Sequence, residues 1–105
     1  MDRKIQIVHL PEGHNVDRAL LTNEIEKFYD KMNQRLPGEM FVEVHFKEFH
    51  KQGTKEQVEC KARVRVAGIK LNSTGLEWDA MKSLKHALSS LEREGEKAIY
   101  KHKGK

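Results

Sequence analysis

The chain has 105 residues, 37% apolar and 34% charged, with one cysteine and a formal net charge of +4 at pH 7. That length holds a single domain with a modest core. The composition excludes a disulfide framework, and no apolar run approaches a membrane span or a secretory leader.

The first predicted strand runs from Lys4 to His9, with Ile5 and Ile7 on one face. Pro11 and Gly13 break it into a loop that ends near Asn15. Asn15 or Asp17 is positioned to cap the next helix, because either side chain can accept a hydrogen bond from a first-turn amide. Leu21, Ile25, Phe28, Met32 and Leu36 then recur at spacings of four, three, four and four, which predicts an amphipathic helix ended by Pro37-Gly38. From Met40 the period becomes two. Met40, Val42, Val44 and Phe46 alternate with Phe41, Glu43, His45 and Lys47, a half-buried strand. A polar reversal, His50 to Lys55, leads to the cleanest strand, Val58 to Val66, whose inward positions include Cys60. There the thiol packs as a small hydrophobe, and a lone free thiol fits a reducing cytoplasm.

Ala67-Gly68 allows a tight turn into a short strand, Ile69 to Ser73. A second helix is expected after Thr74-Gly75, with Trp78, Met81, Leu84, Leu88 and Leu91 as its apolar face. Gly95 interrupts that helix at a cost of about 1 kcal/mol relative to alanine, and Ala98 and Ile99 carry it onward. The fold class is therefore α+β: a two-layer β-α-β-β-β-α domain over residues 1–100, with a flexible basic tail at 101–105. Two helices pack on one face of a four-stranded, mostly antiparallel sheet, similar to a double-stranded RNA-binding fold.

Catalytic constellations are weak. The serines lie in no nucleophile turn, and His9, His14, His45 and His50 lack the spacing of a metal motif. Glu43 and Glu59 are expected to face each other across the outer sheet face, with Lys47 and Lys61 nearby as cross-strand ion pairs. No enzyme activity, cofactor, metal or small-molecule substrate is expected. Charge placement is more informative. Residues 82–105 hold seven Lys/Arg against three Glu, whereas residues 1–81 hold thirteen of each sign. Lys27, Lys31 and Arg35 form one ridge of the first helix. Lys82, Lys85, His86, Arg93 and Lys97 lie off the apolar seam of the second. Side by side over the sheet, the two ridges are expected to meet in one basic groove suited to RNA phosphates. Lys101 and Lys103 of the tail would order against the same partner. Arg63 and Arg65, on the opposite sheet face, are a lesser candidate contact.

From Val58 onward the chain carries further landmarks: the alternating strand Val58 to Val66, Gly68, the strand Ile69 to Asn72, and Gly75. Glu77-Trp78-Asp79, the seam Leu84-Leu88, Leu91-Glu92-Arg93 and the basic Lys101-His102-Lys103 follow. In these features the chain resembles the family of ribosome hibernation-promoting factors and ribosome-associated translation inhibitors, in a short form lacking the C-terminal dimerisation domain. The resemblance implies a cytoplasmic protein whose partners are the small ribosomal subunit, its rRNA and intact ribosomes. In that family, basic residues of both helices face small-subunit RNA near the path of messenger and transfer RNA. Carried over, this implicates Lys27, Lys31, Arg35, Lys82, Lys85, His86, Arg93 and Lys97, and implies steric restraint of translation. Two other readings stay open on the residues alone. One is a general structured-RNA-binding module; the other is a protein-interaction domain that dimerises through the Phe41/Phe49 region or an open strand edge.

Overall fold

A computed structural model gives the fold of residues 3–11, 17–36, 38–49 and 57–103, with side chains described through Ala98. The order is β1 (Ile5–Val8), α1 (Arg18–Arg35), β2 (Met40–Phe49), β3 (Gln57–Val66), β4 (Ile69–Glu77) and α2 (Ala80–Lys103). The strands lie in the order β1-β2-β3-β4. β1 runs parallel to β2, and the other pairs are antiparallel. The two-layer β-α-β-β-β-α architecture is as the hydrophobic periods require. Asn15, His14 and the predicted reversal at His50 to Lys55 lie outside the described residues.

β1 is shorter than its pattern predicts, because His9 turns into a left-handed conformation (φ 56°) and leaves the strand direction. β2 and β3 bury their alternate residues, Met40 to Phe46 and Val58 to Val66, against the helices. Their partners on the other face stay exposed or half-buried. Ala67 (φ 47°) and Gly68 (φ 82°) join β3 to β4 as a two-residue hairpin turn. Positive φ at both positions gives the chain the twist that flanking strands need.

Two expectations about the next segment are corrected. β4 does not stop at Ser73; it pairs with β3 as far as Val58↔Glu77. α2 therefore begins at Ala80, and Trp78 is a connecting residue left 57% exposed rather than part of the apolar face. The physical reason lies in Gly75. A Cβ there would stand 2.2 Å from the Ser83 carbonyl oxygen and 3.1 Å from the Ala87 nitrogen, so this glycine admits the backbone of α2 onto the strand. Along β4 the inward side chains shrink from Ile69 and Leu71 to Ser73 and Gly75. The taper lets the first turns of α2 settle closest to the sheet. Buried Ser83 occupies the contact, its Oγ 2.8 Å from the Val58 carbonyl and 2.9 Å from that of Gly75. A hydroxyl carries one proton, so the two carbonyls share a single donor.

Asp17 caps α1 by accepting a hydrogen bond from the Leu20 amide at 3.0 Å, and Asp79 caps α2 through the Met81 amide at 2.7 Å. α1 buries Leu21, Ile25, Phe28, Tyr29 and Met32. Tyr29 extends the predicted stripe because its hydroxyl finds an acceptor, donating to the Met40 carbonyl at 3.1 Å. α2 buries Ala80, Leu84, Ala87, Leu88 and Leu91. Gly95 does not interrupt it. The helix continues through Lys103, including Lys101 to Lys103 of the segment read as tail, and buried Gly95 lies where the Met32 methyl crosses; a Cβ there would stand 2.6 Å from Met32 Cε.

Candidate nucleic-acid interface

All eight basic residues assigned to the helices are exposed: Lys27, Lys31 and Arg35 on α1, and Lys82, Lys85, His86, Arg93 and Lys97 on α2. Lys101 and Lys103 lie in α2, where only the backbone is described. The two ridges do not merge into one basic line. Lys31 Nζ lies 3.1 Å from Glu92, and Arg35 lies 3.4 Å from Glu96, so two of the three ridge cations of α1 meet a carboxylate of α2. Lys97 pairs with Glu94 at 3.6 Å, His86 approaches Glu77 at 3.3 Å, and Arg93 donates to the Ser90 hydroxyl at 3.4 Å. Exposed pairs of this kind add about 0–1 kcal/mol to stability. The carboxylate pairs among them cancel positive potential, whereas the neutral Ser90 hydroxyl leaves the charge of Arg93 in place.

Lys27, Lys82 and Lys85 differ. None has an ion-pair partner among the described residues. Lys27 and Lys85 line opposite walls of a shallow groove between the helices, floored by Phe28 and Leu88, with Ser89 on its rim. Lys82 stands one turn before Lys85 on α2. Lys31, Glu24 and Glu92 line the same groove and Lys82 lies beyond its lining, so the cations without a carboxylate partner here are Lys27 and Lys85, with Lys82 next to them along α2.

The opposite face of the sheet has no helix over it. Its register places Glu43 beside Arg63 and Glu59 beside Lys47. The expected Glu43–Glu59 opposition is therefore corrected. It depended on pairing register, which alternation does not encode. Lys61 lies 3.9 Å from Glu59, and Glu43 bonds His45 at 2.6 Å. That bond, with the fields of His45, Arg63 and Arg65, holds the Glu43 carboxyl below its ordinary range. Arg63 donates to Asn72 Oδ1 at 3.0 Å, a neutral partner, while Glu43 stands beside it across the strand pair. Lys4, Lys47, Lys61, Arg63, Arg65 and Lys70 thus share this face with Glu39, Glu43 and Glu59, alongside exposed Phe41. Sequence reasoning ranked Arg63 and Arg65 second and missed Lys4, Lys70 and Phe41 as their neighbours. Strand parity could have put all five on one face, but only register sets them side by side.

Among the described residues no group of three or more His, Cys, Asp or Glu is placed to hold a metal ion, and no helix is long and apolar enough to cross a membrane. Buried Cys60 is a free thiol whose pKa burial pushes up to about 12.

No protein-family model matches the chain, and no curated protein matches it significantly by sequence. Among solved structures, the chain is similar to the N-terminal domain of Thermus thermophilus Protein Y, with a TM-score of 0.68 and 15% identity over 92% of this chain and 98% of that one. A ribosomal subunit interface protein from Coxiella burnetii aligns at a TM-score of 0.48 and 19% identity, over 96% of this chain and 98% of that one. The chain thus has the fold of the Protein Y N-terminal domain along nearly its whole length.

Proposed function

We propose that this protein binds the small ribosomal subunit through the cationic part of its two-helix surface and restrains translation by occupancy. The observation that carries the reading is the group Lys27, Lys82 and Lys85: three exposed ammonium groups without carboxylate partners among the described residues, on two helices that share one core. Such charges gain most from a polyphosphate surface, where binding releases condensed counterions and gives contacts that position rather than read sequence. The resemblance of the segment from Val58 to Lys103 to ribosome hibernation factors supports the ribosome as the source of that surface, and the shared fold with the Protein Y domain is in keeping with it. The mechanism is steric, since a packed two-layer domain seated on RNA excludes other ligands from the same space. His86, Arg93 and Lys97 extend the contact along α2, with Lys101 and Lys103 following. Lys31 and Arg35 contribute only as they exchange their carboxylate partners for phosphate.

Co-sedimentation with purified small subunits, large subunits and intact ribosomes at two salt concentrations tests this. Saturable binding to small subunits and intact ribosomes is expected, with loss in the triple variant Lys27→Glu, Lys82→Glu, Lys85→Glu. Absence of saturable binding, or binding that the triple variant retains in full, would refute the assignment.

A further inference from the structure

We propose a second binding surface, for single-stranded nucleic acid, on the uncovered face of the sheet. At the end nearest the Ala67-Gly68 turn, the register sets Lys70, Arg65 and Phe41 side by side across three strands. Lys4 joins the row from the β1 edge, its Nζ 5.1 Å from the centre of the Phe41 ring, and the Arg65 guanidinium carbon lies 6.0 Å from that centre. With strands about 4.8 Å apart, the row spans about 14 Å. Phe41 is 44% exposed, whereas Met40, Val42, Val44 and Phe46 of β2 turn inward; half-buried Phe49 stands at the far end of the same strand beside Lys47. Among the described residues no carboxylate lies within 4 Å of the Arg65 or Lys70 cation, although the field of Arg65 reaches Glu43. Lys4 is paired with Glu39.

Three shallow depressions run together here. One is lined by Phe41, Arg65 and Lys70, the next by Phe41, Arg63 and Lys4, and the third continues past Arg63 toward Lys61 and Lys47. They make a trough along the sheet, with six cations and the carboxylates of Glu39, Glu43 and Glu59 on its walls and the Phe41 ring at one end. Charge complementarity selects a polyanion. The exposed ring selects among polyanions, because a single strand offers unstacked bases to an aromatic face, whereas a duplex keeps its bases inside. An acidic peptide would use the cations and leave the ring idle. This surface lies on the side of the sheet opposite the helices, so it stands independently of the ribosomal reading.

The test is fluorescence anisotropy of the intact protein with a labelled oligouridylate of about ten nucleotides, beside a hairpin duplex and polyglutamate. Expected are saturable binding that favours the single strand, about tenfold weakening in Phe41→Ala and retention in Phe41→Trp. Arg65→Glu and Lys70→Glu should each lower the salt slope by roughly 0.7 per cation removed. The Lys27, Lys82, Lys85 variant should bind the oligonucleotide as wild type does, even if it loses ribosomes, which separates failure of one surface from failure of the other. Urea midpoints of all variants confirm that they are folded. The proposal is overturned by no saturable binding, by equal affinity for the duplex or polyglutamate, or by insensitivity to Phe41→Ala and Arg65→Glu in folded protein. A dimer in sedimentation that Phe41→Ala dissociates would also overturn it, assigning the face to a second copy of the chain.

Discussion

Replacing Gly75 by alanine adds a single methyl group, yet it should be among the most damaging changes available to this domain. The new Cβ would stand 2.2 Å from the Ser83 carbonyl oxygen, where ordinary contact begins at 3.4 Å, and 3.1 Å from the Ala87 nitrogen. Both obstacles are helix backbone, so no rotamer change relieves them. α2 must lift from β4 by about 1 Å, and a gap of that size forfeits a quarter to a half of each dispersion contact along the seam. Overpacking of this kind costs about 1–3 kcal/mol. The lift also stretches the shared bond from Ser83 Oγ to the Val58 and Gly75 carbonyls, worth about 1 kcal/mol. Together the loss is about 2–4 kcal/mol, a large share of the roughly 5–15 kcal/mol that holds a domain folded. Urea unfolding should show a lower midpoint with an unchanged slope, and thermal unfolding a Tm lower by about 8 °C or more. A loss below about 1 kcal/mol would refute the claim that α2 sits directly on the Gly75 backbone.

Gly95→Ala provides the contrast. Its Cβ comes too close only to the Met32 Cε, the end of a flexible side chain, with Leu71 Cδ1 at an ordinary 3.7 Å, so the gain in helix propensity of about 1 kcal/mol should offset most of the repacking. Chemical denaturation should place it within about 1 kcal/mol of wild type, and a loss as large as that of Gly75→Ala would show the helix crossing to be rigid. Cys60 predicts a pH dependence. Its thiol pKa rises on folding from an ordinary 9.0 to about 12, so the folded chain holds a proton that the unfolded chain releases. Stability from this group is unaffected below pH 9 and falls between about pH 9 and 12, by up to about 1.4 kcal/mol per pH unit. Urea unfolding from pH 8 to 11 should show a shallower decline in Cys60→Ala than in wild type; parallel curves would contradict it. Glu92→Gln frees Lys31 from its partner. It should change stability by less than about 1 kcal/mol while strengthening ribosome binding at low salt, and unchanged or weaker co-sedimentation would remove Lys31 from the contact.

The charge pattern of the helix pair shows why counting basic residues along a chain overstates a binding surface. The excess of Lys/Arg after residue 81 is real, but Glu92 and Glu96 sit one and three residues on either side of Arg93 and reach across to α1. Lys31 and Arg35 therefore spend their charge inside the protein. The positive potential that remains lies at Lys27, Lys82, Lys85 and Arg93, and on the far side of the sheet around Arg63, Arg65 and Lys70.

Local periodicity determined much of this protein by itself. The spacing from Leu21 to Leu36 dictates α1, and the alternations from Met40 and Val58 dictate β2 and β3 and their buried faces, while the choice of Asp17 over Asn15 as the α1 cap came from the structure. The periodic features depend only on which way successive side chains point, a property of the backbone repeat. The two-layer order follows, because one apolar sheet face needs two amphipathic helices to cover it. What the tertiary structure decided depends on partners distant in the chain. Thr74-Gly75 reads as the end of a strand, and only the approach of Ser83 and Ala87 reveals Gly75 as a packing position inside β4. Gly95 reads as a weak point in α2 and serves as the place where Met32 crosses. The pairing of Lys31 with Glu92 and the row of Lys70, Arg65, Phe41 and Lys4 rest on helix packing and strand register. A repeat fixes the face on which a side chain stands, whereas its neighbour on that face is set by the packing of the whole core.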